Sequence, residues 1–325
     1  MPDKTAILLT NLGTPDRLSK SSIKRFLKQF LSDPWVVELP RLPWWILLNC
    51  IILPFRSPKT LKAYTRIWGE QGSPLLVIAK QQQAALQQQL GSDLPVALAM
   101  RYGNPDFETV IDELLGSGVN HLVVLPLYPQ NSATTSATTF HYLAKILTRY
   151  RALPSISFID NYHDHPAYIE ALAESVTEHW EGSDTRNHLL MSFHGLPQVN
   201  VDKGDPYYAQ CLVSANLLAD ALGLGKSDWS LSFQSRFGRQ VWLKPYTSDV
   251  LNQLVRDGIK AVDVICPGFS ADCLETLDEI QNEYREFFLA QGGESFHYIP
   301  ALNARARHIS MMQALVTPYL AVTEQ

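Results

Sequence analysis

The sequence predicts an α/β fold of two Rossmann-like domains, each built on a parallel sheet. The chain has 325 residues, which is room for two domains of roughly 150 residues each. Short, almost uninterrupted apolar runs alternate with helical stretches, and strands that are apolar on both faces are typical of parallel sheets covered by helices. Polar features at the ends of these runs recur in the same order in both halves. We therefore expect an internally duplicated fold.

The repeat consists of three strand-like runs in each half. The middle run ends in Arg, aromatic, Gly both times, at residues 101–103 and 236–238. Residues 107–115 and 250–258 have helical patterns and supply crossover connections. The runs are residues 6–15, 95–103 and 121–130 in the first half, and 188–197, 229–238 and 262–270 in the second half.

Two domains follow from this repeat, residues 1–160 and residues 161–325. The boundary is expected within residues 155–166, SISFIDNYHDHP. The chain contains no GxGxxG after its first strand and no GxxxxGK[ST] motif. The sequence therefore lacks the motifs that usually indicate dinucleotide binding or a P-loop. Fold class alone does not name the ligand.

Composition favours a soluble enzyme with a small-molecule partner. Hydrophobic residues make up 46% and charged residues 18%, and a net charge of -5 gives no reason to expect nucleic acid binding. The four cysteines form no CxxC pair and no secretory signal precedes them, so a disulfide framework or zinc ribbon is not expected. A reducing cytoplasm fits best, and Cys266 is expected to pack in a core.

One apolar segment is unusual. Residues 42–55, LPWWILLNCIILPF, carry no charge and are flanked by Arg41 and Arg56. The segment is shorter than the ~18 to 20 apolar residues that cross a bilayer. It is either an amphipathic surface element that lies on a membrane or closes over an apolar ligand, or a buried helix.

His194 and Glu275 are the main candidates for chemistry. His194 ends an apolar strand in the segment HLLMSFHGLP, and Glu275 lies on the helix that follows the run at residues 261–269. In open α/β sheets, ligands bind at the carboxyl ends of strands, and a histidine there is a candidate general base or metal ligand. We expect the two side chains to converge on one cleft.

The helix after residue 272 carries acidic side chains at i, i+4 and i+8, which are Glu275, Glu279 and Glu283. They line one face, although like charges at this spacing destabilise a helix by about 0.2 to 0.5 kcal/mol per pair. A solvated face would explain them. Their start at a strand end near His194 instead favours a conduit for protons or hydrated cations.

The motifs together resemble the ferrochelatases, in order and over nearly the whole chain, most closely the bacterial protohaem type. The segments are NLGTPD (11–16), YPQNSATT (128–135), SFHGLP (192–197), GDPY (204–207), QSRFG (234–238), WLKPYT (242–247) and PGFSADCLET (267–276). The resemblance implies a chelatase-like fold that holds a macrocycle between its two domains. It also implies insertion of Fe²⁺ into protoporphyrin IX with release of two protons, the last step of haem biosynthesis.

By the same resemblance, His194 and Glu275 are catalytic and bind the metal, and Glu279 and Glu283 form the proton or metal path. Residues at about 41–56 match the lip of the family's pocket, which favours a surface element that admits an apolar porphyrin. Cys273 replaces a histidine of some relatives, and Phe55 replaces an arginine. The porphyrin-binding residues implied are Leu12, Arg56, Tyr64, Ser73, Tyr128, Trp242 and Phe269.

Partners and cofactors follow from the resemblance too. Protoporphyrin IX and Fe²⁺ are substrates, and no cofactor is permanently bound. An iron-sulfur cluster needs four thiolates, whereas this chain has no cysteine after Cys273 and has Ala133 in place of another cluster cysteine. We expect no cluster, a monomer, and a cytoplasmic protein with peripheral membrane contact through residues 42–55.

Three rival functions remain open. One is a chelatase paralogue for another tetrapyrrole or metal, which would need more basic residues near Arg56 if its substrate carried more propionates. Another is a non-catalytic porphyrin or haem carrier, which would have no need of a base opposite a carboxylate. A periplasmic-type binding protein would require an export signal, and residues 1–13 lead straight into a buried strand.

Overall fold

The structure is a computed structural model that describes residues 4–182, 186–238 and 240–320. Its chain divides into two compact units. Unit 1 comprises Met1–Tyr128, Ser132–Asn161 and Ile309–Gln325, and unit 2 comprises Pro129–Asn131 and Tyr162–His308. The division into domains 1–160 and 161–325 stays a prediction, because compactness does not show that a segment folds alone.

Each unit contains a four-stranded parallel sheet, and the strand order is the same in both. The order is β2-β1-β3-β4 in unit 1 and β6-β5-β7-β8 in unit 2. The predicted α/β fold with two parallel sheets is therefore confirmed. The strands are β1 Thr5–Gly13, β2 Val96–Tyr102, β3 His121–Pro126, β4 Ser155–Phe158, β5 His188–His194, β6 Trp229–Gln234, β7 Ala261–Ile265 and β8 Ser295–Ile299.

Helices connect the strands and cover the sheets. They are α1 Lys20–Leu31, α2 Arg41–Leu47, α3 Leu53–Ile67, α4 Pro74–Leu90, α5 Phe107–Gly116, α6 Thr138–Leu147, α7 Pro166–Glu181, α8 Gln198–Asp202, α9 Tyr207–Ala221, α10 Thr247–Arg256, α11 Arg285–Ala290 and α12 Ala306–Val316. Residues Leu48–Ile52, Ala133–Ala137 and Glu275–Tyr284 are π-helical, with hydrogen bonds from i to i+5.

The core of unit 1 forms where α5 and α6 pack on the central strands. Phe107 and Ile111 of α5 are fully buried and belong to one cluster with Leu8, Leu122 and other apolar side chains of the sheet. The Asp106 carboxylate caps α5 by accepting a 3.1 Å hydrogen bond from the Thr109 backbone N–H. This helix is the first of the two predicted crossovers, and it connects β2 to β3.

A buried carboxylate stabilises the carboxyl edge of this sheet. The Asp33 carboxylate accepts hydrogen bonds from the Arg101 guanidinium, from the Tyr102 hydroxyl at 2.8 Å and from the Thr138 hydroxyl at 2.7 Å. The Arg101 guanidinium also lies 4.2 Å from the centroid of the Tyr142 ring. Because a buried charge needs partners, Asp33 fixes the end of β2 and the start of α6.

The core of unit 2 is built in the same way. Leu190, Val262 and Val264 of the central strands pack with Ile280 and Phe288 in one buried cluster. Cys266 belongs to this cluster, so its predicted packing role is confirmed.

The apolar segment at residues 42–55 lies on the surface. Trp44 is buried, and its indole N–H donates a 2.7 Å hydrogen bond to the Leu31 carbonyl. Leu48 and Leu53 are buried as well, but most other side chains of the segment face outward, so the expectation of a surface element is confirmed and that of a buried helix is wrong. The exposed apolar side chains are Leu42, Trp45, Ile46, Leu47, Ile51 and Phe55. Within the described residues, none of the helices combines the length and hydrophobicity needed to cross a bilayer.

Candidate active site

His194 is the last residue of β5, at the carboxyl end of the unit 2 sheet. It is half-buried and pairs in register with Gln234, the last residue of β6. Its Nδ1 lies 2.7 Å from the Gly195 carbonyl oxygen. A carbonyl can only accept, so Nδ1 carries the proton and Nε2 carries the lone pair. The imidazole is thereby held in the tautomer that can accept a proton or bind a metal through Nε2.

The residue after this histidine has no room for a side chain. A Cβ at Gly195 would lie 2.6 Å from the Gln234 carbonyl oxygen and 3.2 Å from Cε3 of Trp242. Trp242 itself is buried and lies 4.9 Å from the Phe237 ring, centroid to centroid. Its indole N–H has no hydrogen-bond partner in the part of the chain that the structure describes. A buried donor without a partner is costly.

Glu275 begins the long π-helix that follows β7. The turn before it is anchored by Asp272, whose buried carboxylate accepts hydrogen bonds from Tyr298 at 2.6 Å, Asn303 at 2.7 Å and Thr276 at 3.0 Å. Since Tyr298 lies on β8 and Asn303 follows that strand, the start of the helix is fixed against the sheet.

Gln234 connects this helix to the strand of His194. Its side-chain amide donates a 3.1 Å hydrogen bond to the Glu275 carbonyl oxygen, and its amide oxygen accepts a 2.8 Å bond from the Ser192 hydroxyl. Gln234 therefore lies beside His194 in the sheet and contacts Glu275 directly. The structure thus places both predicted residues at one end of unit 2. Phe269 is there too, with its ring 6.4 Å from the His194 ring.

The acidic side chains run from the interior to the surface. Glu275 and Glu279 are half-buried and Glu283 is exposed. The Glu279 carboxylate accepts a 2.7 Å hydrogen bond from the Ser235 N–H and another from its hydroxyl. The pKa of Glu279 is raised to about 7, mainly by burial and also by the charges of Glu275 and Glu283, while the hydrogen bonds from Ser235 act in the opposite direction.

Ser235 and the π-helix were not predicted. Ser235 has φ of 64°, a left-handed conformation that is uncommon outside glycine. It turns the chain after β6 so that its N–H meets Glu279. π-helical turns inside helices are frequent at functional sites. With i to i+5 hydrogen bonds, side chains four residues apart, such as Glu275 and Glu279, still lie on the same helix face.

Cys273, the neighbour of Glu275, is buried. Burial raises the pKa of its thiol well above the usual value, and the charge of Glu275 acts in the same direction. The thiol therefore stays protonated at neutral pH and is a poor metal ligand.

Unit 1 contains a second group of predicted residues. Thr14 donates a 2.7 Å hydrogen bond to Ser73, and the Tyr64 hydroxyl lies 3.4 Å from the same Thr14 oxygen. Arg56 is half-buried and precedes Tyr64 by eight residues on α3, so the two share a helix face. Thr14 was missed by sequence reasoning, although it lies within the NLGTPD motif.

Leu12 and Tyr128 lie at the carboxyl edge of the unit 1 sheet. Leu12 is half-buried near the end of β1, and the Leu127 N–H donates a 2.8 Å hydrogen bond to Thr10 of that strand, which places Tyr128 beside it. Gly13 follows with φ of 101°, and a Cβ there would overlap the Tyr102 carbonyl oxygen. Leu12, Arg56, Tyr64, Ser73 and Tyr128 thus belong to unit 1, and Trp242 and Phe269 to unit 2.

Solved structures share the fold of this chain. SirB from Bacillus subtilis with Fe³⁺ is similar in structure with a TM-score of 0.59, at 11% identity and 98% coverage of each chain. CbiX, the terminal enzyme for siroheme biosynthesis in denitrifying bacteria, gives 0.53 at 13% identity, covering 96% of this chain and 98% of that chain. At these identities the likeness shows the fold alone.

Sequence relatives are much closer. A ferrochelatase of Aeromonas hydrophila subsp. hydrophila is 54% identical over 324 residues, which cover 99% of this chain and 100% of that protein. A ferrochelatase of Escherichia coli (strain K12) is 51% identical over 316 residues, covering 97% and 98%. The family model described as Ferrochelatase matches residues 4–320. The chain therefore belongs to the ferrochelatase family.

Proposed function

We propose that His194 and Glu275 carry out the ferrochelatase reaction of this chain, the insertion of Fe²⁺ into protoporphyrin IX. One observation carries the assignment of these residues. The tautomer of His194 is fixed by Gly195, and Gln234 lies between His194 and the Glu275 backbone at the same sheet edge. The reaction is the last step of haem biosynthesis.

His194 accepts protons from the porphyrin. Two pyrrole N–H bonds break as nitrogen lone pairs bind Fe²⁺, so two protons must leave for each metal inserted. Imidazole is the side chain whose charge changes near neutral pH, which suits a base that accepts and passes on a proton in every cycle. Its Nε2 lone pair is available because Nδ1 is already donating to Gly195.

Glu279 and Glu283 carry these protons outward. A carboxyl group whose pKa is about 7 is present in both protonation states at neutral pH, so it can take up a proton and release it again. Glu283 is exposed at the outer end of the same helix face. The pKa of Glu279 favours proton transfer over metal entry, because a carboxyl that is half protonated is a weak ligand for a cation.

Iron is the substrate and must not be held tightly. One imidazole and one carboxylate at His194 and Glu275 form a small ligand set, and the protonated Cys273 adds no thiolate to it.

We propose no iron-sulfur cluster, because Cys211, Cys266 and Cys273 are each buried as single thiols in the described structure. Iron and sulfide analysis of protein purified without oxygen tests this, and acid-labile sulfide would contradict it.

The porphyrin is bound by the aromatic, aliphatic and basic residues named above. The Arg56 guanidinium can pair with a propionate through two hydrogen bonds. Trp242 and Phe269 offer ring surface next to His194, and Trp242 has a buried N–H that lacks a partner in the described chain. Binding energy from such contacts can bend the macrocycle at a cost of about 1 to 5 kcal/mol. The bend exposes the pyrrole nitrogens to the metal and the base.

Residues 42–55 make peripheral contact with a membrane, and the protein is a cytoplasmic monomer. Leu42 is 72% and Phe55 75% exposed, and the segment carries no charge. An apolar patch of this kind favours an acyl boundary. Phe55→Ser should reduce cosedimentation with phospholipid vesicles, and Leu153→Ser, at an exposed leucine outside the segment, should not. Equal binding by both variants would contradict the membrane contact.

The decisive experiment compares two histidines of one strand. His188 and His194 stand at opposite ends of β5, and both are half-buried. The purified protein is incubated without oxygen with protoporphyrin IX and Fe²⁺, and metallation is followed by absorbance. His194→Ala should lower the rate by about 10²- to 10⁴-fold while porphyrin still binds, and His188→Ala should retain the rate.

Other outcomes would change the assignment. A normal rate in His194→Ala would remove this residue from the chemistry. Porphyrin binding without metallation by Fe²⁺, Zn²⁺ or Co²⁺ would leave a carrier. Faster metallation of coproporphyrin than of protoporphyrin IX would favour a paralogue for another tetrapyrrole.

A further inference from the structure

We propose that His179, Asp263 and His297 form a second divalent-metal site, distinct from His194 and Glu275, that binds a borderline transition metal ion such as Zn²⁺. The three residues come from α7, β7 and β8 of unit 2. Each directs one ligand atom to the cluster, and these atoms lie within 4.8 Å of one another.

The distances suit a tetrahedral ion. His179 Nε2 lies 3.3 Å and His297 Nδ1 lies 3.1 Å from the same oxygen, Oδ1 of Asp263. Zinc bonds of about 2.0 to 2.1 Å to nitrogen and oxygen place neighbouring ligands of a tetrahedron about 3.3 Å apart. These two separations therefore match those of a tetrahedral site, and the two histidine nitrogens lie within 4.8 Å of one another.

The neighbours hold the ligands in place. The Trp180 indole N–H donates a 2.9 Å hydrogen bond to Oδ2 of Asp263, and Asn187 donates a 3.0 Å bond to Oδ1. The Ser295 hydroxyl lies 3.2 Å from Nε2 of His297. Metal-ligating carboxylates and imidazoles usually have such outer partners, which fix their orientation.

The ligand types select the class of ion. Two imidazoles and one carboxylate favour zinc, cobalt and related ions over Mg²⁺ and Ca²⁺, which prefer oxygen ligands. Asp263 is 1% exposed, whereas the His297 side chain is 51% exposed and the His179 side chain 27%. An ion can thus enter from solvent past the imidazoles and keep water at the fourth position.

The site is far from the proposed catalytic residues. Asp263 pairs in register with Leu189, five residues before His194 on β5. At about 3.3 Å per residue, this separates the two places by roughly 16 Å along the strand. The ion would link the last turn of α7 to the edge strand β8, so we assign it a stabilising role and no part in metallation.

Zinc titration of the full-length protein, first treated with a chelator, tests the proposal by calorimetry and thermal unfolding. Five proteins are compared: the parent, His297→Ala, His179→Ala, His194→Ala and His188→Ala. His188 is the matched control, because it lies at the same end of the sheet, bonded to Ser227 and Ser230 rather than to Asp263. Parent, His188→Ala and His194→Ala should each bind zinc at this site and unfold at a higher temperature with zinc.

His297→Ala and His179→Ala should bind zinc at least about 10-fold more weakly and lose the thermal shift. The His297 side chain is half-exposed, so its replacement disturbs the core less. If His179→Ala does not fold, the zinc affinity of His297→Ala tests the proposal. Zinc binding that is equal in His297→Ala and the parent would overturn the proposal. Absence of zinc binding by the parent, or its loss only in His194→Ala, would overturn it as well.

Discussion

Replacing Glu279 by glutamine should change how stability depends on pH. The folded pKa is about 7, whereas the ordinary value is 4.5. Between these values the folded protein keeps a proton that the unfolded chain has lost, so unfolding releases a proton. Rising pH therefore favours unfolding across this window, and the destabilisation is complete above about pH 7. At 1.36 kcal/mol per pKa unit, the difference amounts to about 3 kcal/mol.

The parent alone will not show this slope. His308 is buried, and burial lowers its pKa from 6.5 to about 4. In this case the unfolded chain binds the proton first, so stability increases as pH rises from about 4 to 6.5. The pH dependence of stability due to His308 therefore opposes that due to Glu279 over nearly the same pH range. A comparison of variant with parent at each pH cancels the contribution of His308 and isolates that of Glu279.

The assay is urea unfolding followed by tryptophan fluorescence at pH 4.5 and pH 8. Relative to the parent, Glu279→Gln should be about 3 kcal/mol more stable at pH 8 than at pH 4.5, because it has no charge to bury. Glu283→Gln is the control on the same helix face, where the side chain is exposed. If the difference between Glu279→Gln and the parent is the same at both pH values, the argument from burial is refuted.

Two further substitutions test packing and buried charge, both by urea unfolding. Gly195→Ala should lower the free energy of unfolding by about 1 to 3 kcal/mol, because its Cβ would lie 2.6 Å from the Gln234 carbonyl oxygen. The control is Gly116→Ala, whose Cβ would have nothing within 4 Å. Equal stability of the two variants would contradict the steric explanation. Asp33→Ala should cost about 3 to 5 kcal/mol, because it leaves the largely buried Arg101 guanidinium without its carboxylate. A stability within error of the parent would show that Arg101 finds another partner or solvent.

The central strands and the edge strands β2 and β6 were predictable, whereas the edge strands β4 and β8 were not. β1, β3, β5 and β7 have neighbours on both sides, so their side chains are buried on both faces and their sequences are largely apolar. β4 and β8 are short, and both have partly exposed side chains. A short SISF or SFHYI segment takes the strand conformation from its partner, which a local pattern does not reveal.

The site shows the same division between local and distant signals. The positions of His194 and Glu275 were predictable because one ends an apolar run and the other follows one, and ligands bind where parallel strands end. Nothing local indicated that Ser235 would bond to Glu279, since the contact depends on a left-handed turn after β6. The cluster of His179, Asp263 and His297 spans more than a hundred residues of sequence and carries no spacing signal.

The π-helix at Glu275–Tyr284 sets the rotational phase between the acidic face and the core. Its wider turns rotate each residue by less than the about 100° of an α-helix. If these ten residues became α-helical, every later side chain would turn around the axis. Phe288, which is fully buried in the unit 2 cluster, would then rotate out of its place. The segment therefore cannot take ordinary α-helical geometry without giving up either the direction of the acidic side chains or the packing of Phe288.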